Sequence, residues 1–174
     1  MNKLFFCLFI TVTLLFTPIP VFASAKLVDY GDYAKIQERN LKIKTLANFF
    51  KLNNSPLESY SATFIDEAEK NELNWKLIPA ITGVESSFGK AIPKNSYNAY
   101  GWNNGDYYFK SWEEGIIIVS KTLNEKYRQG WGADDPYEIG RYYAASPTWA
   151  NRVVSFMKQI ENTSSNLALL PLNL

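Results

Sequence analysis

Helix-opening signals recur along this chain, and they constrain its fold more than any other feature. Ser55-Pro56 joins a capping hydroxyl to a proline suited to a first helical turn. Ser111-Trp112-Glu113-Glu114 is a capping box, in which Ser and Glu satisfy backbone N–H groups that have no helical partner. Asp135-Pro136-Tyr137-Glu138 is a second box with proline at the first helical position. Ser146-Pro147 opens a last helix. Apolar residues then follow at spacings of three and four, the period that gives a helix one buried face. Leu57, Tyr60, Phe64 and Ala68 predict a helix to about residue 71, and Trp112, Ile116, Val119, Leu123 and Tyr127 one over 111–129. The box at Asp135 opens a short helix to about residue 144, and Trp149, Val153, Phe156 and Ile160 are the stripe of the last. Two more helices are expected over 42–52, from Ile43, Leu46, Phe49 and Phe50, and over 76–88. In the second, Pro79 fits only within the first turn, and Gly89 and Pro93 end the run.

Asn98–Lys110 reads differently. Tyr100 and Trp102, then Tyr107 and Phe109, flank Asn103-Asn104-Gly105-Asp106, which is turn chemistry between aromatic-rich short strands. A small β-hairpin is therefore expected, set after a polar loop over 90–97. The fold class is mainly α, with helices around a small β-hairpin lobe, an arrangement suited to lining a cleft. Residues 26–54 form a lead-in containing the first short helix, 55–161 the domain, and 162–174 a tail without a clear cap or period.

Residues 1–25 read as an export address. Lys3 supplies a positive start, residues 4–16 an apolar run interrupted only by Thr11 and Thr13, and Ala23-Ser24-Ala25 a small-residue cleavage pattern. The run is shorter than the roughly 20 residues an ordinary membrane span needs. The alternative is an uncleaved amphipathic anchor. The expected location is secreted or cell-envelope, with no stable membrane span after cleavage. The single Cys, Cys7, leaves with this segment, so the remaining domain must rely on its apolar core and not on disulfides.

Composition then removes whole classes of chemistry. The 174 residues contain no His. With Cys7 gone, Ser-His-Asp and Cys-His catalysis, His-ligated metals and thiol chemistry are excluded. Lys+Arg is 18 and Asp+Glu 17, a balance that argues against nucleic acid as a partner. No metal or organic cofactor is expected. Proton transfer falls to carboxylates, Tyr or Lys.

Glu85 is the outstanding carboxylate. Ile81, Val84 and Phe88 make an apolar stripe, and Glu85, four residues after Ile81, projects beside it. Desolvation there favours the protonated acid, and so does the negative end of the helix dipole. A carboxylic acid that keeps its proton near neutral pH is what leaving-group protonation in glycoside cleavage requires. The other reading is a Glu paired with a buried Arg or tilted into solvent.

Glu85-Ser86-Ser87-Phe88-Gly89-Lys90, followed by Asn98-Ala99-Tyr100-Gly101-Trp102, resembles the glucosaminidase (endo-β-N-acetylglucosaminidase) family of bacterial cell-wall hydrolases, in the lysozyme-like superfamily. Leu77-Ile78-Pro79-Ala80-Ile81 also fits the apolar run before that family's glutamate. The resemblance covers about residues 57–160. It implies a lysozyme-like helical domain that cleaves β-1,4 bonds after N-acetylglucosamine in peptidoglycan, with Glu85 as general acid. The partner it implies is a peptidoglycan glycan strand, engaged by a monomer.

The second catalytic group stays open. Asp106 is the acidic residue of the expected hairpin and so the candidate, although Asp beside Asn-Gly is also ordinary turn chemistry. Without it, the substrate's own acetamido group would serve as nucleophile. A lytic transglycosylase would manage with one glutamate and form an anhydro-sugar. For substrate binding the candidates are Ser86, Asn98, Tyr100, Trp102, Tyr142 and Tyr143. Aromatic rings suit the apolar faces of pyranoses, but period two would send about half of the hairpin aromatics into the core. Tyr143 is preferred near Glu85, with Tyr142 facing the core. Trp149 is assigned to the core stripe, and Arg152 to solvent or a salt bridge. A glycan-binding domain without turnover is the reading from another class.

Overall fold

A computed structural model describes residues 30–168 of the chain. The expected export segment and the end of the tail lie outside these residues. Six α-helices follow in order: α1 (Tyr30–Leu52), α2 (Ser61–Lys70), α3 (Leu77–Ser86), α4 (Trp112–Thr122), α5 (Pro136–Tyr143) and α6 (Trp149–Ala168). Short 3-10 turns occupy Glu58–Tyr60 and Trp102–Gly105, and a π-helical stretch, Leu123–Gly130, continues α4. The architecture is mainly helical, with no strand among the described residues.

Two of the four capping signals, Ser111 and Asp135, cap the helices they were expected to open. Ser111 Oγ accepts from the Glu114 backbone N–H at 3.2 Å. Asp135 Oδ1 accepts from the N–H groups of Tyr137 and Glu138, at 2.7 and 2.9 Å, and Pro136 opens α5. Pro79 is tolerated as the third residue of α3, where its missing N–H has no intrahelical partner to lose.

Several boundaries differ from expectation. The helix expected from Ser55-Pro56 becomes α-helical only at Ser61, after the 3-10 turn, and the one expected over 76–88 ends at Ser86. The first helix begins at Tyr30, not near residue 42. Its first part is exposed and charged, so no apolar stripe announces it; its buried residues begin at Thr45. The last helix runs to Ala168 through what was read as a tail, and it starts at Trp149. The helix opened by Ser111 leaves α-geometry at Leu123.

The core is shared by the whole described chain. Leu46, Phe49 and Phe50 of α1 are buried together with Phe64 and Ile65 of α2, Ile78 and Ile81 of α3, Ile116 and Val119 of α4, and Val153 and Ile160 of α6. Phe88 sits at its centre, edge-on to Phe49 at 5.2 Å and to Phe156 at 4.9 Å. Gly83 of α3 makes this possible, because a Cβ there would meet the Phe88 ring at 2.5 Å. Burying such rings is the dominant favourable term in a domain without disulfides.

The expected hairpin is absent, and backbone geometry gives the reason. Gly101, Asn103, Asn104 and Gly105 all have positive φ, between 51° and 89°, so the segment coils where a strand would extend. Asn98 replaces strand pairing. Its Oδ1 accepts from Trp102 N–H at 2.9 Å, and its Nδ2 donates to the carbonyls of Trp102 and Tyr107 at 2.9 and 3.0 Å. One buried side chain thus satisfies both arms of the loop.

Candidate active site

α3 ends in a run of left-handed residues, Ser87, Phe88 and Gly89. Ser86 anchors that end. Its Oγ lies 2.9 Å from the Ala99 carbonyl and 3.0 Å from the Thr82 carbonyl, and it accepts from Gly89 N–H at 2.8 Å. These bonds bring the segment from Ala99 to Gly101 against the last turn of α3, where Glu85 projects.

Glu85 is half-buried in a cleft of about 530 Å³. Gly101, Asn104, Tyr143, Trp149 and Arg152 are among the residues that line it with Glu85. Trp149 Nε1–H donates to Glu85 Oε1 at 2.6 Å. The other oxygen, Oε2, lies over Gly101, where a Cβ would approach it to 2.6 Å. Arg152 donates to the Val84 carbonyl at 3.2 Å. Burial raises the Glu85 carboxyl above the ordinary carboxylate range, and the Trp149 hydrogen bond and the Arg152 charge pull it partly back. Solvent loss therefore outweighs both stabilising partners. The site holds a carboxylic acid with a raised proton affinity, facing a groove.

Gly101 is required twice at this point. Its φ of +65° is one that L-residues rarely adopt, and its missing Cβ leaves room for Oε2. Gly101→Ala should cost about 1 kcal/mol from backbone strain, and more from displacing the carboxylate. Combined with Glu85→Ala, the second penalty should vanish, so chemical denaturation should show the pair to be non-additive.

A second groove, of about 200 Å³, shares Gly101, Asn104 and Tyr143 with the cleft and adds Trp102, Asn103 and Tyr127. Of the two adjacent tyrosines, Tyr143 faces the cleft. Its phenol donates to the Tyr100 carbonyl at 2.6 Å, and its ring stacks on Trp149 at 5.0 Å. The phenol's proton is thus committed to the backbone, not to Glu85. Burial first, and then the nearby Glu85, hold that phenol neutral well above its usual range.

Several candidates lie elsewhere. Tyr142 does not face the core; it is 53% exposed and packs on Trp131 at 4.6 Å. Tyr100 is wholly buried against Gly115 and Phe109, which leaves no face for a ligand. Ser86 and Asn98 are buried with their polar atoms used inside the protein, so both build the site and neither reaches a ligand. Asp106 is exposed at the end of the 3-10 turn and lines neither groove. Glu85 is the one carboxylate among the residues lining the cleft.

Sequence reasoning missed Trp149. It is 2% exposed, as a core residue would be, and still spends its indole N–H on Glu85. Buried Trp usually needs a partner for its N–H, which was the available signal, but the spacing of 64 residues hid which partner. Gly140 of α5 gives the indole its place, since a Cβ there would lie 3.1 Å from it. Arg152 belongs to the cleft as well.

The chain matches no protein-family model. No curated protein matches it either.

Proposed function

We propose that this protein cleaves β-1,4 glycosidic bonds of peptidoglycan after N-acetylglucosamine, with Glu85 as general acid, in a lysozyme-like domain acting outside the cytoplasm. The observation that carries this reading is a single carboxyl of raised proton affinity, braced by Trp149, in a cleft walled by aromatic and polar groups. The likeness of Glu85–Lys90 and Asn98–Trp102 to cell-wall glucosaminidases supports the substrate.

With one carboxylate lining the cleft, the substrate supplies the nucleophile. Glu85 gives its proton to the glycosidic oxygen as the C1–O bond breaks. The acetamido oxygen of the same sugar bonds to C1 and forms a cyclic intermediate. Water then attacks C1 and yields its proton to the Glu85 carboxylate, which restores the acid and releases a reducing end. Asp106 would enter this chemistry only if its loop moved toward the cleft.

The same solitary carboxylate favours a second reading, lytic transglycosylation, in which a hydroxyl of the cleaved strand replaces water. Mass spectrometry of fragments released from purified peptidoglycan separates the two. Reducing N-acetylglucosamine ends support hydrolysis, anhydro-muramic ends the second reading, and binding without release a glycan-binding domain.

The acid must be protonated, so activity should fall on the alkaline side as pH passes Glu85's own value. Arg152→Met removes a cation that favours the carboxylate, so that limb should move to higher pH. The shift should shrink in high salt, since Arg152 is exposed and screened. A pH–rate profile for kcat/KM at two ionic strengths measures both.

A further inference from the structure

The two oxygens of Glu85 are not equivalent. Oε1 accepts the Trp149 indole N–H at 2.6 Å, whereas Oε2 has no hydrogen-bond partner among the described residues and lies over the cleft-lining Gly101. In a carboxylic acid one oxygen carries the proton and the other is a carbonyl. An N–H donor can pair only with an oxygen that offers a lone pair, and it favours the carbonyl. We propose that Trp149 is a positioning residue that fixes Oε2 of Glu85 as the oxygen carrying the proton.

The indole is held for this purpose by a closed set of contacts. Trp149 stacks on Tyr143 with an interplanar angle of 27°, and the Tyr143 phenol donates to the carbonyl of Tyr100. The next residue, Gly101, lies under Oε2, and Glu85 closes the ring back to Trp149. Three side chains and one loop therefore determine each other's placement. If the carboxyl rotated by half a turn, it would present the proton-bearing oxygen, a weaker acceptor than the carbonyl, and weaken the bond to the indole. The indole thus selects one of two otherwise similar acid rotamers.

This inference deepens the proposed function and rests on it only where cleavage is concerned. The groups that bear on the Glu85 proton are few. Arg152 and Trp149 come from α6, Tyr143 from α5, and the segment Gly101–Gly105 carries no charged side chain.

The test follows the proton directly. With tryptophan labelled by nitrogen-15, the protein gives five indole signals, and the one absent from Trp149→Phe is Trp149. In the wild type this signal should titrate with Glu85, with a midpoint above the ordinary glutamate value. In Glu85→Gln it should stay flat. In Trp149→Phe the Glu85 carboxyl, followed by its carbon-13 signal, should titrate about one pH unit higher, because a donor to the charged form is gone. In that variant kcat on peptidoglycan should fall about tenfold with KM nearly unchanged.

A purely structural tryptophan predicts the opposite direction. Loosened packing would admit water and lower the Glu85 midpoint toward its ordinary value. That result, or a Trp149 signal indifferent to pH in the wild type, overturns the proposal. Should Trp149→Phe fail to fold, the wild-type and Glu85→Gln titrations still decide it. A wild type that titrates as described and yet releases no glycan fragments would support the proton placement and overturn the proposed function.

Discussion

Glu85→Gln should abolish glycan cleavage, with a loss of about 10³-fold in kcat, while the protein stays folded and still binds glycan strands. The amide is nearly the same shape as the acid. Its carbonyl can accept the Trp149 indole N–H in place of Oε1, and its nitrogen can lie over Gly101 in place of Oε2. It has no acidic proton to give, so the leaving sugar would depart as an unprotonated alkoxide. Stability should change in the other direction. Burial raises the folded-state pKa of Glu85, so the folded chain holds that proton more tightly than the unfolded chain does. Ionising Glu85 therefore costs stability, a cost that appears as pH rises from the ordinary glutamate value through Glu85's own. The Tm of the Gln variant should match the wild type at low pH and exceed it at neutral pH. Zymography, fragment release and thermal melts at two pH values check the three parts. Wild-type turnover in Glu85→Gln would remove this residue from the chemistry.

The largest stability effect is expected from Phe88→Ala, about 3–5 kcal/mol by chemical denaturation. Phe88 is 4% exposed and touches rings from α1 and α6. Its removal leaves a cavity at the centre of the core, and whole domains are stable by only about 5–15 kcal/mol. Gly83 supplies an internal control. Gly83→Ala alone should destabilise the protein, because its Cβ would collide with the Phe88 ring. In the Phe88→Ala background the same methyl would fill part of the void, so the two effects should couple favourably. The loss reaches the site as well. Phe88 stands three residues after Glu85, and its carbonyl accepts the Ser55 hydroxyl at 2.7 Å. Loosening this point frees the end of α3, and with it the carboxyl.

What could be read without the tertiary structure were features whose causes are local. Caps at Ser111 and Asp135 act over three residues, and apolar stripes act over one helical turn, so most helices were legible together with the ends their caps define. The placement of Glu85 beside a buried stripe was legible for the same reason. The first half of α1 was not. Its exposed, charged residues carry no period, and the fully buried residues that hold the helix begin only at Thr45.

The loop after residue 98 shows where local reasoning fails. Aromatic alternation around Asn-Asn-Gly favours a hairpin by neighbour rules alone. The buried amide of Asn98 instead bonds both arms of the loop, and four positive φ angles follow. With no strand formed, the aromatics lost the alternating faces that would have shown Tyr100 to a ligand, and Asp106 was left outside the cleft. The amino-acid order alone determined that the chain is helical and that one acid stands at the edge of an apolar face. Only the folded molecule decided which partners that acid has, because Trp149 and Gly101 reach it across 64 and 16 residues, distances over which nearest-neighbour patterns carry no information.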